Sequence, residues 1–173
     1  HRGEASALAF TRDGQTLAIG STAGAGTVWV YGFDGVRWVL QAELRASNAQ
    51  AGDAFGAALA LTPDGSTLAV GAPNEAGLTE SKPGGGAVYV FDRTGATWAE
   101  AGLVRAFDTD PGDRFGTSVG LTDDGLFLAG GAPGEAGIPG NSANNSVPAS
   151  GAVWMVRRAG KGSVFSVYGY VKP

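Results

Sequence analysis

The sequence predicts an all-β protein made of three repeated units, each with four antiparallel strands. One segment occurs three times, as DGQTLAIG at residues 13–20, DGSTLAVG at 64–71 and DGLFLAGG at 124–131. Gly supplies 30 of the 173 residues without an every-third-residue period, which suits many short strands joined by tight turns. A repeat of this spacing indicates a packing unit whose faces are buried by its neighbours.

The second unit shows the predicted elements most clearly. Its turns contain Gly, which supplies the positive φ that tight hairpins require. The elements are, in order, a strand over 57–61, a turn over 62–65, a strand over 67–71, a loop over 72–85, a strand over 87–91, a turn over 92–95 and a strand from 98 to about 105.

The other two units repeat this order. In the first unit, strands are predicted over 7–10, 17–20, 27–31 and 38–44. In the third unit, strands are predicted over 118–121, 126–129, 152–156 and 164–170.

The third strand of each unit is apolar at consecutive positions, with VWVY at 28–31, VYVF at 88–91 and VWMV at 153–156. A strand with two apolar faces is covered on both sides. Four-stranded antiparallel sheets that recur and pack face to face are the blades of a β-propeller, whereas the rungs of the alternative β-solenoid are shorter. The predicted blade units are about 5–46, 52–106 and 112–173.

Three blades are fewer than the roughly four to eight of known propellers. Residues 1–173 are therefore expected to form one partial propeller domain, with an uncovered apolar face on each outer blade. Further blades from a longer parent chain, or a second copy of this chain, would complete the ring. The start at His1 without Met indicates a processed product or an excised piece, and a longer parent chain is the favoured explanation.

The loop between the second and third strands changes in length from unit to unit, over residues 21–26, 72–85 and 132–151. Variable loops on a constant scaffold are typical of a binding face. The alternative is that long loops are tolerated because closure entropy grows slowly with length.

Two short motifs resemble the FG-GAP repeat of integrin α-subunits and of many bacterial extracytoplasmic proteins. GDAFG at 52–56 is followed by GAP at 71–73, and GDRFG at 112–116 is followed by GAP at 131–133. The first unit lacks Phe-Gly and has Gly20-Ser21-Thr22 in place of the second motif. The resemblance implies an exported, non-catalytic propeller used for adhesion or ligand binding, in an extracellular, cell-surface or periplasmic location.

Many integrin-type repeats also carry a calcium loop of the form Asp-x-Asp-x-Asp-Gly in the first turn. The corresponding turns here are TRDG, TPDG and TDDG, at residues 11–14, 62–65 and 122–125. They keep one or two carboxylates, whereas Ca²⁺ takes about six to eight oxygen ligands, so no cofactor is expected. Asp108, Asp110 and Asp113 form the densest acidic group and are weak candidates for a cation, although a solvated linker is favoured.

Composition excludes several classes of function. His1 is the only histidine and there is no cysteine, which excludes nucleophile–His dyads and His or Cys metal sites at internal positions. A net charge of −4 argues against nucleic acid, and no apolar run is long enough for a membrane-spanning helix. The densest basic group, Arg157, Arg158 and Lys161, is predicted at a turn.

The ligand-binding candidates are Asn74, Glu75, Glu135 and Asn141, in the two longer loops. Glu75 and Glu135 occupy the same place after Gly-Ala-Pro, and the favoured alternative is that they brace the loops by accepting backbone hydrogen bonds. A carboxylate-dependent glycoside hydrolase would need the two groups about 5–9 Å apart. The expected partner is a protein or a carbohydrate, although the aromatic side chains that could stack on sugars fit blade packing better. A scaffold segment of a larger surface or secreted protein is the alternative function.

Overall fold

The computed structural model describes residues 4–76, 82–136 and 148–172. Over these residues the chain forms twelve β-strands and no helix, and therefore contains no helix able to cross a membrane. The strands are β1 Ala7–Phe10, β2 Thr16–Ser21, β3 Thr27–Phe33, β4 Trp38–Leu44, β5 Ala58–Leu61, β6 Thr67–Ala72, β7 Ala87–Thr94, β8 Thr97–Val104, β9 Ser118–Leu121, β10 Phe127–Ala132, β11 Ala152–Arg157 and β12 Ser166–Val171.

The strands form three antiparallel sheets in chain order, β1 to β4, β5 to β8 and β9 to β12, which we name blades 1, 2 and 3. This confirms the predicted all-β fold of three four-stranded units. Val28, Val88 and Val153 occupy equivalent positions, since each pairs with a glycine of the second strand and with the last apolar residue of the fourth. A register shift recurs between the third and fourth strands, two residues after each of these valines.

The core lies between the blades, in two clusters of buried side chains. Blade 2 offers one face to blade 1 and the other to blade 3. The first cluster joins Ala18, Val28 and Val30 of blade 1 to Leu68, Val70 and Tyr89 of blade 2. The second joins Ala69, Val88 and Val90 of blade 2 to Leu128, Trp154 and Val156 of blade 3.

The turn between the first and second strands is held in the same way in each blade. The hydroxyl of Thr11 donates to Asp13 Oδ1 at 2.7 Å, and the same carboxylate oxygen accepts from Gln15 N at 2.9 Å. Asp64 and Asp124 accept equivalent bonds from the Thr hydroxyl of their own turns. The bonds from Thr11 and Thr122 lower the pKa values of Asp13 and Asp124, and hydrogen bonds from the Ser66 side chain and from Thr62 lower that of Asp64 to about 2.

The Phe-Gly pair of each later blade packs on glycines of the blade before it. Phe55 and Phe115 are fully buried. A Cβ at Gly26 would overlap the carbonyl oxygen of Phe55, and a Cβ at Gly86 would overlap that of Phe115. A Cβ at Gly20 or Gly71 would likewise overlap the carbonyl oxygen of Gly56 or Gly116. Main chain therefore contacts main chain at both blade junctions.

Several strand ends differ from the prediction. β10 was expected over 126–129 but runs over Phe127–Ala132, because Gly130 is needed inside the strand to admit the ring of Phe115. β12 was expected over 164–170 but spans Ser166–Val171. β3 and β7 continue beyond their apolar runs to Phe33 and Thr94.

The outer blades each leave an apolar face open, as the blade number predicts. On blade 1, Leu8 is 60% exposed and Phe10 is 53% exposed. On blade 3, Val153 is 43% exposed, although its equivalents Val28 and Val88 are fully buried. Positions that a neighbouring blade covers at the two internal junctions are thus exposed on the outer faces of blades 1 and 3.

Candidate functional site

Two equivalent loops leave the sheets of blades 2 and 3, one after β6 and the other after β10. Each is closed at its base by the backbone of a glutamate. Glu75 N donates to the carbonyl of Ala72 at 3.2 Å, and Glu75 O accepts from Gly86 N at 2.9 Å. Glu135 makes the same two bonds with Ala132 and Gly151, at 3.2 and 2.9 Å. The two loops differ in length but are closed by the same pair of backbone hydrogen bonds.

The side chain of Glu75 is 2% exposed, and Arg105, Asn48 and Tyr89 are hydrogen-bonded around it. Arg105 binds it with two nitrogens, Nε to Oε2 at 3.1 Å and Nη2 to Oε1 at 2.5 Å. Asn48 donates its amide to Oε1 at 3.0 Å and accepts a bond from the hydroxyl of Tyr89 at 2.5 Å. We name these four residues the Glu75 cluster. Burial is the main cause that raises the pKa of Tyr89, so its hydroxyl remains a donor.

The equivalent group in blade 3 consists of Glu135, Lys172, Asp108 and Trp154, which we name the Glu135 cluster. Glu135 is 2% exposed, and Lys172 Nζ lies 3.6 Å from its Oε1. Asp108 takes the place of Asn48, so the amide that donates to Glu75 has no counterpart here. In the described part of the chain, both carboxylate oxygens of Asp108, Glu135 Oε2 and Trp154 Nε1 are buried without a hydrogen-bond partner.

The Glu135 cluster also differs in charge, because Asp108 adds a carboxylate where Asn48 is neutral. Burial, followed by the charges of Asp113 and Asp108, raises the pKa of Glu135 to about 7, while Lys172 acts in the opposite direction. Burial likewise raises the pKa of Asp113, although the backbone N–H of Asp110 opposes this shift. Burial and the neighbouring carboxylates therefore favour the protonated form of Glu135.

The other predicted site residues lie around these clusters. Asn74 is exposed, and its side-chain amide donates to the carbonyl of Gly52 at 3.1 Å. Asp110 is half-buried, forms an ion pair with Lys82 at 3.3 Å, and gives its backbone N–H to Asp113. Asn141 lies outside the described residues. Within the described ranges, no three carboxylate or histidine side chains are arranged so that they could hold a metal ion.

The structure does not place Glu75 and Glu135 in a common site. Each carboxylate is buried within its own blade and forms an ion pair with a different basic side chain, Arg105 for Glu75 and Lys172 for Glu135. A retaining or inverting glycosidase needs both carboxyls at one sugar-binding position. Their burial favours the interpretation that they brace the loops.

Arg158 was predicted at a turn with Arg157 and Lys161, and it does lie in the segment between β11 and β12, but its burial was not predicted. Arg158 directly follows β11, is 3% exposed, and pairs with Asp92 of blade 2 through contacts of 2.6 and 2.8 Å. Its Nε donates to the carbonyl of Gly125 at 3.0 Å. Burial raises the pKa of Asp92, but hydrogen bonds from Arg158 and Thr67 outweigh burial and keep that pKa below its ordinary value.

Sequence reasoning also missed the basic partners of the two glutamates. A signal was present, because Arg45, Arg105 and Lys172 each directly follow the last strand of a blade. The short loop of blade 1, residues 21–26, contains no glutamate, and Arg45 pairs instead with Glu43 at 2.7 Å. The ion pair between this basic residue and a buried loop glutamate therefore occurs in the two blades with longer loops.

These sheets and their junctions define a β-propeller fold. Residues 38–91, from β4 to the apolar part of β7, match the family described as the FG-GAP repeat. The chain thus carries an FG-GAP repeat, as its Phe-Gly and Gly-Ala-Pro motifs indicated. No curated protein sequence matches the chain.

Solved propellers show the same architecture at low sequence identity. Saccharomyces cerevisiae Sqt1 is 11% identical, with a TM-score of 0.65, and the match covers 100% of this chain and 36% of that one. Chaetomium thermophilum Sqt1 bound to the N-terminus of ribosomal protein L10 is 16% identical, with a TM-score of 0.60 and coverages of 96% and 34%. The β-propeller domain of Myceliophteria thermophila Cps50 (Swd1) is 14% identical, with a TM-score of 0.56 and coverages of 96% and 39%. This chain therefore spans about a third of the length of each.

Proposed function

We propose that the chain is a non-catalytic binding module of FG-GAP propeller type, which contacts its ligand through the loops after β6 and β10. We further propose that it acts outside the cytoplasm, at the cell surface or in the periplasm, in adhesion or ligand capture. The FG-GAP match over residues 38–91 and the propeller fold support the class of module. The exported location rests on the resemblance of the repeats to integrin-type propellers.

The observation that carries the proposal is the common base of the two loops. Glu75 and Glu135 fix the base in the same way in blades 2 and 3, whereas the segments that they close, 76–85 and 136–150, differ in length and sequence. A fixed base under a variable segment is how binding loops are presented on a rigid scaffold. In this proposal the glutamates position the loops, and exposed polar groups such as Asn74 contact the ligand.

A protein ligand fits this arrangement better than a small substrate. The carboxylates of Glu75 and Glu135 are buried in ion pairs with basic side chains, so they are not available for acid–base chemistry on a sugar. One of the similar propellers, Chaetomium thermophilum Sqt1, was solved with the N-terminus of a ribosomal protein bound to it. A carbohydrate is the second ligand class, and no metal cofactor is needed to hold either one.

A loop graft tests the proposal. Residues 72–87 would be replaced by residues 21–27 of blade 1, which join equivalent strands by a short loop without the glutamate. The intact chain and the graft would be compared on arrays of glycans and of extracellular proteins, with urea denaturation as the folding control. We expect binding that the graft loses while it remains folded. A folded graft with unchanged binding, or no binding by the intact chain, would contradict the proposal.

The alternative function is a scaffold segment that presents other domains of a larger surface or secreted protein. The open apolar faces of blades 1 and 3 favour this alternative, because they require neighbours on both sides. A scaffold role predicts that the graft changes no binding but that variants of the open faces impair assembly of the parent protein. The two functions are thus separated by which surface is sensitive to substitution.

A further inference from the structure

The open face of blade 3 has the same construction as the two faces that are covered within the chain. Ala129, Val153 and Met155 stand where Ala69, Val88 and Val90 of blade 2 are fully buried against blade 3. The same positions in blade 1 are Ala18, Val28 and Val30, which are fully buried against blade 2. The open face therefore continues an interface that the chain already forms twice.

The glycine positions that receive a Phe-Gly pair are also present on this face. Gly131 corresponds to Gly71, and Gly151 corresponds to Gly86. At Gly86 an added Cβ would overlap Phe115, whereas at Gly151 the nearest atom lies 3.8 Å away. Gly151, Ala152 and Val153 line an open depression of about 240 Å³ at this point.

The backbone beside the depression already has the conformation found at the filled junctions. Gly24 and Gly84 have φ values of 64° and 68°, and the equivalent Ala149 has a φ of 50° although it carries a side chain. Gly26, Gly86 and Gly151 follow with φ values of 82°, 85° and 75°. The receiving segment thus has its docking geometry before any partner is present.

We propose that this depression is a docking site for the Phe-Gly segment of a further FG-GAP blade, and not for a second copy of this chain. The incoming segment needs a phenylalanine followed by a glycine in the left-handed region, as at Phe55-Gly56 and Phe115-Gly116, where the glycine φ values are 92° and 88°. The first blade of a second copy would bring Glu4 and Ala5 to these positions, because Ala7 of β1 aligns with Ala58 of β5. A carboxylate in the apolar depression and an alanine at that φ are both unfavourable.

A cysteine at position 153 reports whether the site is covered, since the chain has no other cysteine. Val153→Cys would be made in the full chain and in a fusion that appends a copy of residues 107–172 after Pro173. In this fusion Pro173 precedes the added blade at the linker position that Ala106 occupies before blade 3. We expect thiol labelling in the fusion to be slower by about 100-fold than in the chain alone, because labelling requires the added blade to open. Val36→Cys, in the β3–β4 turn, is 87% exposed and is the control that should label equally in both.

Two variants of the fusion test the specificity of the site. Changing Phe to Glu and Gly to Ala in the added blade, at its copies of Phe115 and Gly116, should abolish the protection. Gly151→Ala in blade 3 of the original chain should also abolish the protection when the added blade is unchanged. Gly162→Ala is the matched control, because it imposes similar backbone strain at a φ of 75° but does not face the site, and it should keep the protection. Normal labelling in the intact fusion would overturn the proposal, as would protection that survives both the double change and Gly151→Ala. Concentration-dependent protection in the chain alone would assign the face to a second copy instead.

Discussion

Replacing Asp108 with asparagine tests the difference between the two glutamate clusters. In the Glu75 cluster, Asn48 donates to the buried carboxylate at 3.0 Å, whereas Asp108 has no hydrogen to offer Glu135 when both are ionised. The variant removes one buried charge and supplies an amide donor at the equivalent position. We expect Asp108→Asn to raise the free energy of unfolding, most strongly at alkaline pH.

The magnitude follows from the pKa of Glu135, which rises from 4.5 to about 7. A carboxyl with a higher pKa in the folded state binds more protons folded than unfolded, so stability is lost as pH rises from about 4.5 to 7. A shift of this size corresponds to roughly 3 kcal/mol in total. Burial and Asp113 act more strongly than Asp108, so removal of the Asp108 charge recovers only the smaller part of this total, and the new hydrogen bond adds about 1 kcal/mol.

Urea denaturation followed by tryptophan fluorescence at pH 5, 6, 7 and 8 measures this effect. We expect Asp108→Asn to gain about 2 kcal/mol at pH 8 and less than half of that at pH 5. The mirror variant Asn48→Asp should lose stability at pH 8, because it removes the donor from Glu75. A gain that is independent of pH, or a loss at pH 8 for Asp108→Asn, would refute the account of the cluster.

Three further predictions concern the blade junctions and the turns. Arg158→Met should destabilise the chain by about 3 kcal/mol in thermal or urea unfolding, because it leaves the half-buried Asp92 without its ion-pair partner. Arg157→Ala, on the exposed side of β11, is the control and should change stability by less than about 0.5 kcal/mol. Phe115→Ala should lose about 3–5 kcal/mol by the same measurement, and a smaller loss would mean that the blade 2–blade 3 junction closes over the gap. For Asp64→Asn we expect the free energy of unfolding to fall by about 1 kcal/mol at pH 7 after solvent screening. This loss should disappear as pH falls from about 4 towards 2, because hydrogen bonds from Ser66 and Thr62 lower the pKa of the carboxyl in the folded state. A loss that persists at pH 2 would mean that the turn depends on geometry and not on the charge.

The sequence predicted the strands well where apolar runs end at glycine-rich turns. The predicted bounds of β1, β4 and β9 agree with the structure. Strand ends were wrong where a residue serves a distant partner. The predicted strand ended at residue 129, but Gly130 lies inside β10, where its missing side chain makes room for Phe115 of the preceding segment. Such a contact leaves no local pattern in the sequence.

The site was predicted only in part for the same reason. The repetition of Glu75 and Glu135 after Gly-Ala-Pro revealed that the position matters, but not that Arg105 and Lys172 face them. Arg158 and Asp92 are separated by 66 residues, so the neighbouring pair of arginines predicted a turn but not an ion pair with blade 2. Charge pairs across blades depend on the fold being assembled first, whereas turns and strands depend on adjacent residues.

The contact of main chain with main chain at Gly20, Gly26, Gly71 and Gly86 has a consequence for how these repeats tolerate change. The distance between successive sheets is limited there by carbonyl oxygens and α-carbons, which no substitution of a neighbouring residue alters. Valine, alanine and methionine can therefore be exchanged on the facing surfaces with an effect on stability but little effect on the angle between sheets. The curvature needed to close a ring can persist while the interior side chains diverge.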